Sequence, residues 1–225
     1  MPADSPADDT PLTGLTRDDA RVERRETVFK GYFQVDTYEL RHRLFQGGWS
    51  GTFRREVFER KHAVACLLYD PVRDELVMLE QFRVGALAAL DSPWFDDGFS
   101  PWLIEIVAGI IEDGETPEEV ARREALEEAG CHVTDLEPVT QYLASPGGSS
   151  ESLFVFCGRV DASGAGGIHG LESEFENIRV FTAPVSQVMA WLDAGRIVNA
   201  MTMIPLYWLR THHADLRARW LAGGA

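Results

Sequence analysis

The chain has 225 residues, 45% hydrophobic and 25% charged, a mixture that supports a substantial buried core and excludes general disorder or a fibrous repeat. Its formal net charge of -15 repels a polyanion over most of the surface, which argues against a nucleic-acid polymer as the main partner. A small anionic substrate stays open wherever cations or local arginines screen that field.

The opening stretch MPADSPADDTPLTGL has neither the basic end nor the apolar run of a signal peptide, and no later stretch approaches transmembrane length. Cys66, Cys131 and Cys157 are odd in number and far apart, without the pairing of a zinc site or the density of a disulfide framework. The expectation is a cytoplasmic protein with reduced, mostly buried thiols and no membrane partner.

Along the chain, residues 1–20 are rich in Pro, Asp and Ser without periodicity and are expected to be a disordered tail. Residues 21–62 read as a small N-terminal β subdomain: two β-rich segments, ETVFKGYFQVDTYELRHRLF and GTFRREVFERKH, are joined across the turn-forming Gln46, Gly47 and Gly48. AVACLLYD and ELVMLEQF flank the turn Asp70 to Asp74 and read as two central strands. Residues 84–101 are expected to be a long connection, WLIEIVAG one buried strand, and residues 136–143 and 152–159 two more. A Gly-rich acidic loop follows at 161–177, with Gly164 to Gly170 expected to supply flexibility, and then helices over 184–194 and 199–221 that set Trp191, Trp208 and Trp220 against the sheet.

The best-marked element is a helix over Pro117 to Ala129. Thr116 is a capping residue, Pro117 suits the first helical position, Glu119 completes a capping box and Gly130 stops it. Glu124, Glu127 and Glu128 fall within about 100° of arc on this helix. Like charges at this spacing oppose helix formation unless a cation neutralises them, and hard oxygen ligands suit Mg2+ or Mn2+. Taken alone, the segment reads first as a solvated acidic face, since such surface charge is common. Its surroundings decide: Gly109, Glu115, Arg123, Glu124, Glu127, Glu128 and Gly130 stand in the spacing G x5 E x7 R E x x E E x G. Seven specified letters at roughly one in 15 each give odds on the order of one in 10^8 per starting point.

This spacing is the Nudix box, and the chain resembles the Nudix hydrolases, above all the bacterial ADP-ribose pyrophosphatase subgroup, from about Arg25 onward. The segments FKGYF, RHRLF, REVFER, DPVRDE, EQFR, AGIIEDGE, LASPGGSSE and GIHGL carry the resemblance, and Pro146 lies 15 residues beyond Cys131, as in the ADP-ribose subgroup. The stretch DSPWFDDGFS is longer than the family pattern, and Ala125 and Cys131 fill its aliphatic positions.

The resemblance implies an α/β Nudix fold, an α/β/α sandwich with a mixed sheet, in which residues 63–225 form the catalytic domain and residues 21–62 serve dimerisation and adenine contacts. It implies hydrolysis of ADP-ribose or a related nucleoside diphosphate sugar, with Mg2+ or Mn2+ as cofactor and a homodimer as the working form. It implies further that Glu124 and Glu128, with Glu127 and the carbonyl of Ala108, hold the metals; that Glu176 is an additional ligand; and that Glu174, rather than Glu172, activates the water. Arg83 resembles a phosphate contact, Tyr32 and Arg55 resemble the residues that sandwich the adenine, and Pro146 and Glu151 are further substrate contacts. In the box, Gly109 is expected to permit an unusual backbone turn, and Arg123 to hold Glu115 by a forked ion pair. The competing readings are another diphosphate substrate, such as GDP-mannose or a nucleoside triphosphate, or a ligand-sensing regulator that keeps the fold without the chemistry. Complete carboxylates and the lack of a basic DNA-binding helix pair argue against the regulator.

Overall fold

A computed structural model describes residues 13–95, 98–170 and 175–223, and the chain divides into two compact units. The first holds the residues up to Arg60 together with Ala144–Glu151; the second holds Lys61–Leu143 and the residues from Ser152 onward. The membership of Ala144–Glu151 in the first unit has no signal in the sequence. It arises because Phe58 N–H donates to the Gly148 carbonyl and the Arg60 guanidinium grips Glu151 at 2.8 Å.

The first unit is an antiparallel sheet in the order β1 (Ala20–Lys30), β2 (Gln34–His42), β3 (Phe53–Glu59). The segment read as β-rich from Glu26 to Phe45 turns at Gly31, whose N–H donates to the Phe33 carbonyl at 2.8 Å. A lone glycine without a Pro, Asn or Asp beside it is a weak turn signal, which is why the hairpin escaped the sequence pattern. The expected tail lies outside the described residues up to position 12. Beyond it, the reading is corrected: Thr16 caps a single 3-10 turn (Arg17–Asp19), and β1 begins at Ala20. Among its described residues this unit buries no hydrophobic side chain, whereas Val22, Val28, Phe29, Tyr32 and Phe45 are exposed. Its buried groups are Thr37 and Asp36, the latter accepting a 2.6 Å hydrogen bond from Arg25 Nε.

The second unit contains one eight-stranded sheet in the order β10-β11-β5-β4-β9-β8, with β6 added on β5 and β7 on β4. The strands are β4 (Ala63–Asp70), β5 (Glu75–Phe82), β6 (Trp102–Glu105), β7 (Val107–Ile110), β8 (Asp135–Leu143), β9 (Ser152–Arg159), β10 (Gly167–His169) and β11 (Ile178–Pro184). Only β4 and β9 run parallel among these pairs, so the sheet is mixed. β4 and β5 are central, as their continuous apolar runs require of strands buried on both faces. Ala65, Leu67 and Tyr69 face one core, and Val64, Cys66 and Leu68 face the other. Fully burying a leucine side chain contributes roughly 1.5–3 kcal/mol, so this alternation fixes the register of β4 firmly.

The helices are α1 (Val84–Ala89), α2 (Pro117–Ala129), α3 (Val185–Asp193) and α4 (Ala200–Ala222). α2 covers the core of Val64 and Leu79, while α3 and α4 cover that of Leu67 and Met78, with Trp220 buried and Trp191 and Trp208 packed against it. This is the α/β/α sandwich expected. All three cysteines are free and buried, and no helix among the described residues is long and apolar enough to cross a membrane.

Three readings of the chain are corrected here. WLIEIVAG is two strands, because β4 and β5 splay apart: β5 meets β4 at Glu75–Val77 but β6 at Leu79–Phe82, and β4 meets β7 at Ala63–Cys66. The connection at 84–101 contains α1. The acidic loop contains β10, laddered to β11 from Gly167 to His169, so within the stretch from Gly164 to Gly170 these three residues are tied to the sheet edge; β11 itself had no sequence forecast.

Candidate active site

Helix α2 is placed by local chemistry at both ends. Thr116 N–H donates to Glu119 Oε2 at 2.8 Å and Glu119 N–H donates to the Thr116 hydroxyl at 3.3 Å, closing the capping box, with Pro117 at the first turn. At the other end Gly130 takes φ 64, a left-handed conformation that glycine adopts freely, and Cys131 N–H returns to the Ala125 carbonyl. Val120, Ala121, Ala125 and Ala129 bury one stripe of the helix on the sheet. The glutamates then flank that stripe, with Glu128 itself buried at 6% exposure.

The space for Glu124 is made by Gly109 on β7. A β-carbon at Gly109 would lie 1.7 Å from Glu124 Oε1. Gly109 is not among the positive-φ glycines, so the expected unusual turn is corrected: this glycine is present for close approach, not for its backbone angle. Arg123 forms the expected fork on Glu115, at 2.7 Å and 3.0 Å, and its Nη1 also reaches Glu124 at 2.7 Å and Glu127 at 3.1 Å. Glu128 Oε2 accepts a 2.9 Å hydrogen bond from Ala108 N–H.

Electrostatics follow from this packing. Burial, reinforced by the charges of Glu124 and Glu176, pushes the Glu128 carboxyl up to about 8, opposed by the Ala108 N–H and the Arg83 charge. Burial also raises Glu124 against the pull of Arg123, whereas hydrogen bonding to Arg123 lowers half-buried Glu115. The mutual influence of Glu124, Glu128, Glu176 and Arg83 puts them in one electrostatic neighbourhood. Yet no set of three His, Cys, Asp or Glu side chains among the described residues lies in metal-binding geometry. The anticipated convergence of the three helix carboxylates is corrected to this extent: Arg123 draws Glu124 and Glu127 toward itself, and Glu128 bends to Ala108. As chemistry, the donor set fits a hard cation, since every side-chain donor is a carboxylate and Mg2+ or Mn2+ takes oxygen ligands.

Arg83, after β5, is anchored on a residue that the sequence reading missed. Its Nε and Nη2 donate to Glu105 Oε2 at 2.9 Å and 2.8 Å, and the other oxygen of fully buried Glu105 accepts from Asn199 Nδ2. The available signal was an acidic residue inside the apolar strand WLIEIVAG, since a buried carboxylate needs partners.

Glu174 and Glu172 lie outside the described residues. Glu176 is half-buried, and Gly170 (φ 101) lies so close that a β-carbon there would sit 2.7 Å from Glu176 Cβ, so the two ends of the acidic loop are pinched together. Tyr32, Arg55, Pro146 and Glu151 belong to the first unit. Tyr32 is 91% exposed, set edge-to-face on Phe33, which rules out a place in a sheet core. Arg55 is exposed on β3 with its guanidinium over Phe53, and no cation–π contact joins it to Tyr32 among the described residues. Pro146 is exposed, and Glu151 is paired with Arg60.

The description NUDIX domain matches residues 52–200 of this chain. The chain belongs to the Nudix family. As a Nudix hydrolase it is 47% identical over 213 residues to the ADP-ribose pyrophosphatase of Escherichia coli, covering 95% of this chain and 98% of that one. It is 38% identical over 206 residues to the ADP-ribose pyrophosphatase of Haemophilus influenzae, covering 92% and 93%. It is also 32% identical over 164 residues to the GDP-mannose pyrophosphatase of Escherichia coli, covering 71% and 79%. A solved structure described as an ADP compounds hydrolase shares the Nudix fold, with a TM-score of 0.64 at 20% identity over 88% of this chain and 97% of that one.

Proposed function

We propose that this Nudix hydrolase splits the pyrophosphate bond of ADP-ribose, and of related nucleoside diphosphate sugars, to give AMP and ribose 5-phosphate. The observation that carries the reading is the set of buried and half-buried glutamates on α2 and before β11, faced by Arg83 and seated against β7, in a chain 47% identical to an ADP-ribose pyrophosphatase. A diphosphate needs anchoring cations and carboxylates that bind a metal, and no covalent nucleophile is required.

In this reading Glu124, Glu127, Glu128, Glu176 and the Ala108 carbonyl hold Mg2+ or Mn2+, and Arg83 binds a phosphate oxygen. When bound, the ion supplies charge neutralisation and Lewis acidity at the diphosphate. Glu174 takes the proton of the attacking water. Tyr32 and Arg55 stack on the adenine, an arrangement that suits a flat base between an aromatic ring and a guanidinium, while Pro146 and Glu151 line the substrate. The enzyme works in the cytoplasm, where three free buried thiols stay reduced.

The working form is a homodimer in which the N-terminal sheet contributes Tyr32 or Arg55 to the partner's adenine site. Support comes from that unit's lack of any buried hydrophobic side chain among its described residues, together with exposed Val22, Val28 and Phe29 on β1, which a second copy can cover. Mixing a Glu124→Gln subunit with an Arg55→Ala subunit should restore one working site per heterodimer; sedimentation as a monomer would contradict the arrangement.

Similarity to a GDP-mannose pyrophosphatase keeps a second substrate in view. Incubation with ADP-ribose, ADP-mannose, GDP-mannose and dGTP, with and without Mg2+, tests the proposal. ADP-ribose should give the highest kcat/KM, and a preference for dGTP would overturn the sugar-nucleotide assignment.

A further inference from the structure

We propose that Asn199 and Glu105 are positioning residues for Arg83, so that the start of α4 sets the aim of the phosphate-binding arginine; this rests on the diphosphatase reading above. Three elements distant in sequence meet here: the end of β5, the end of β6 and the first turn of α4.

Arg83 is divided between two environments. Its inner edge, Nε and Nη2, is spent on one oxygen of Glu105, while Nη1 has no protein partner among the described residues and the side chain is 40% exposed. The charge of Arg83 is felt by Glu128, so the guanidinium stands in the neighbourhood of the metal helix. A guanidinium held on one edge and open on the other is preorganised for an anion, because the rotamer entropy of a long side chain is lost before the ligand arrives.

Glu105 has no exposure, so its rotamer is fixed by its partners rather than by water. Arg83 is one partner and Asn199 Nδ2 is the other. Asn199 is itself fixed, because its Oδ1 accepts from Met201 N–H at 3.0 Å as the N-cap of α4. That bond dictates which end of the amide faces Glu105: oxygen to the helix, nitrogen to the carboxylate. The chain of bonds from Met201 N–H through Asn199 and Glu105 to Arg83 contains no freely rotating link. Helix capping and substrate positioning are separable, since serine or threonine at position 199 keeps an acceptor for Met201 N–H, while its shorter side chain withdraws the amide donor from Glu105 without setting a second charge beside it.

The test is a double-mutant cycle on the full-length protein, with ADP-ribose and Mg2+. Asn199→Ser should lower kcat/KM by about 10-fold, mostly through KM, while melting cooperatively, because a misaimed phosphate contact weakens binding without unfolding α4. In an Arg83→Ala background the same change should alter kcat/KM by less than about twofold, since the residue through which Asn199 acts is gone. If Asn199→Ser does not melt cooperatively, the cycle is run with Asn199→Thr, which also caps a helix and adds no charge. Equal losses in both backgrounds, or no loss in either, overturn the positioning role while the diphosphatase reading stands. A parent protein without activity on any nucleoside diphosphate sugar overturns both.

Discussion

The carboxylate of Glu124 occupies the volume that a side chain on Gly109 would take, with Oε1 only 1.7 Å from the position of a β-carbon there. The strand and the helix are therefore fitted to one another at a single atom's clearance. The obstructing atoms belong to the end of a flexible side chain, so Gly109→Ala should push Glu124 aside rather than unfold β7. Melting should fall by no more than roughly 2–4 °C, the equivalent of about 1 kcal/mol in a domain of this size, while kcat drops by about 100-fold or more. Parent-like activity with a large loss of melting temperature would mean that the close approach serves packing alone.

Glu124→Gln and Glu128→Gln should each lose activity by orders of magnitude while folding normally, because each removes a charged oxygen donor. Neither should lower stability without added metal: burial already disfavours the ionised form of both groups, so a neutral amide suits the site at least as well. Activity within about tenfold of the parent at saturating Mg2+ would remove these residues from the metal site.

Much of this architecture is legible in the sequence, and the gaps have physical causes. The α2 helix could be bounded at both ends because its caps are local: Thr116, Pro117, Glu119 and Gly130 each act within a few residues. β4 and β5 are legible because strands buried on both faces must be apolar throughout. The break at Ile106 is not, because it follows from the divergence of β4 and β5, a relation between strands that no single segment encodes. The role of Gly109 was misassigned for the same reason, since the side chain it admits comes from α2, 15 residues away. Glu105 and Asn199, separated by 94 residues, meet only once the sheet and α4 are assembled.

Glu174→Gln should lower kcat by roughly 10^2 to 10^4, the range for losing a positioned base, with little change in substrate affinity. Glu176→Gln should instead shift the Mg2+ requirement, in keeping with the proximity of Glu176 to Glu124 and Glu128. Steady-state kinetics of both variants beside Glu172→Gln checks the assignment: loss confined to Glu172→Gln would move the base to that residue.

Asp74 offers a pH-dependent test outside the active site. Burial alone would raise its carboxyl, but hydrogen bonds from His213 and Tyr69 and the charge of Arg217 outweigh that and hold it below the usual 3.8. A carboxyl whose folded pKa is depressed contributes stability above its unfolded value and loses it as pH falls through the folded value. Asp74→Asn tolerates the left-handed backbone there, φ 59, so it isolates the charge. The variant should be less stable than the parent by about 1 kcal/mol at pH 7, and the difference should shrink as the pH drops below 3.8. Thermal melts at neutral and acid pH decide this; a gap that widens on acidification would reverse the sign and contradict the pairing.

The central claim is tested most directly by incubating the purified protein with ADP-ribose in Mg2+ and in excess EDTA, and separating the products. The account predicts equimolar AMP and ribose 5-phosphate in Mg2+, with no turnover in EDTA. Intact ADP-ribose in Mg2+, or equal turnover in EDTA, would contradict it.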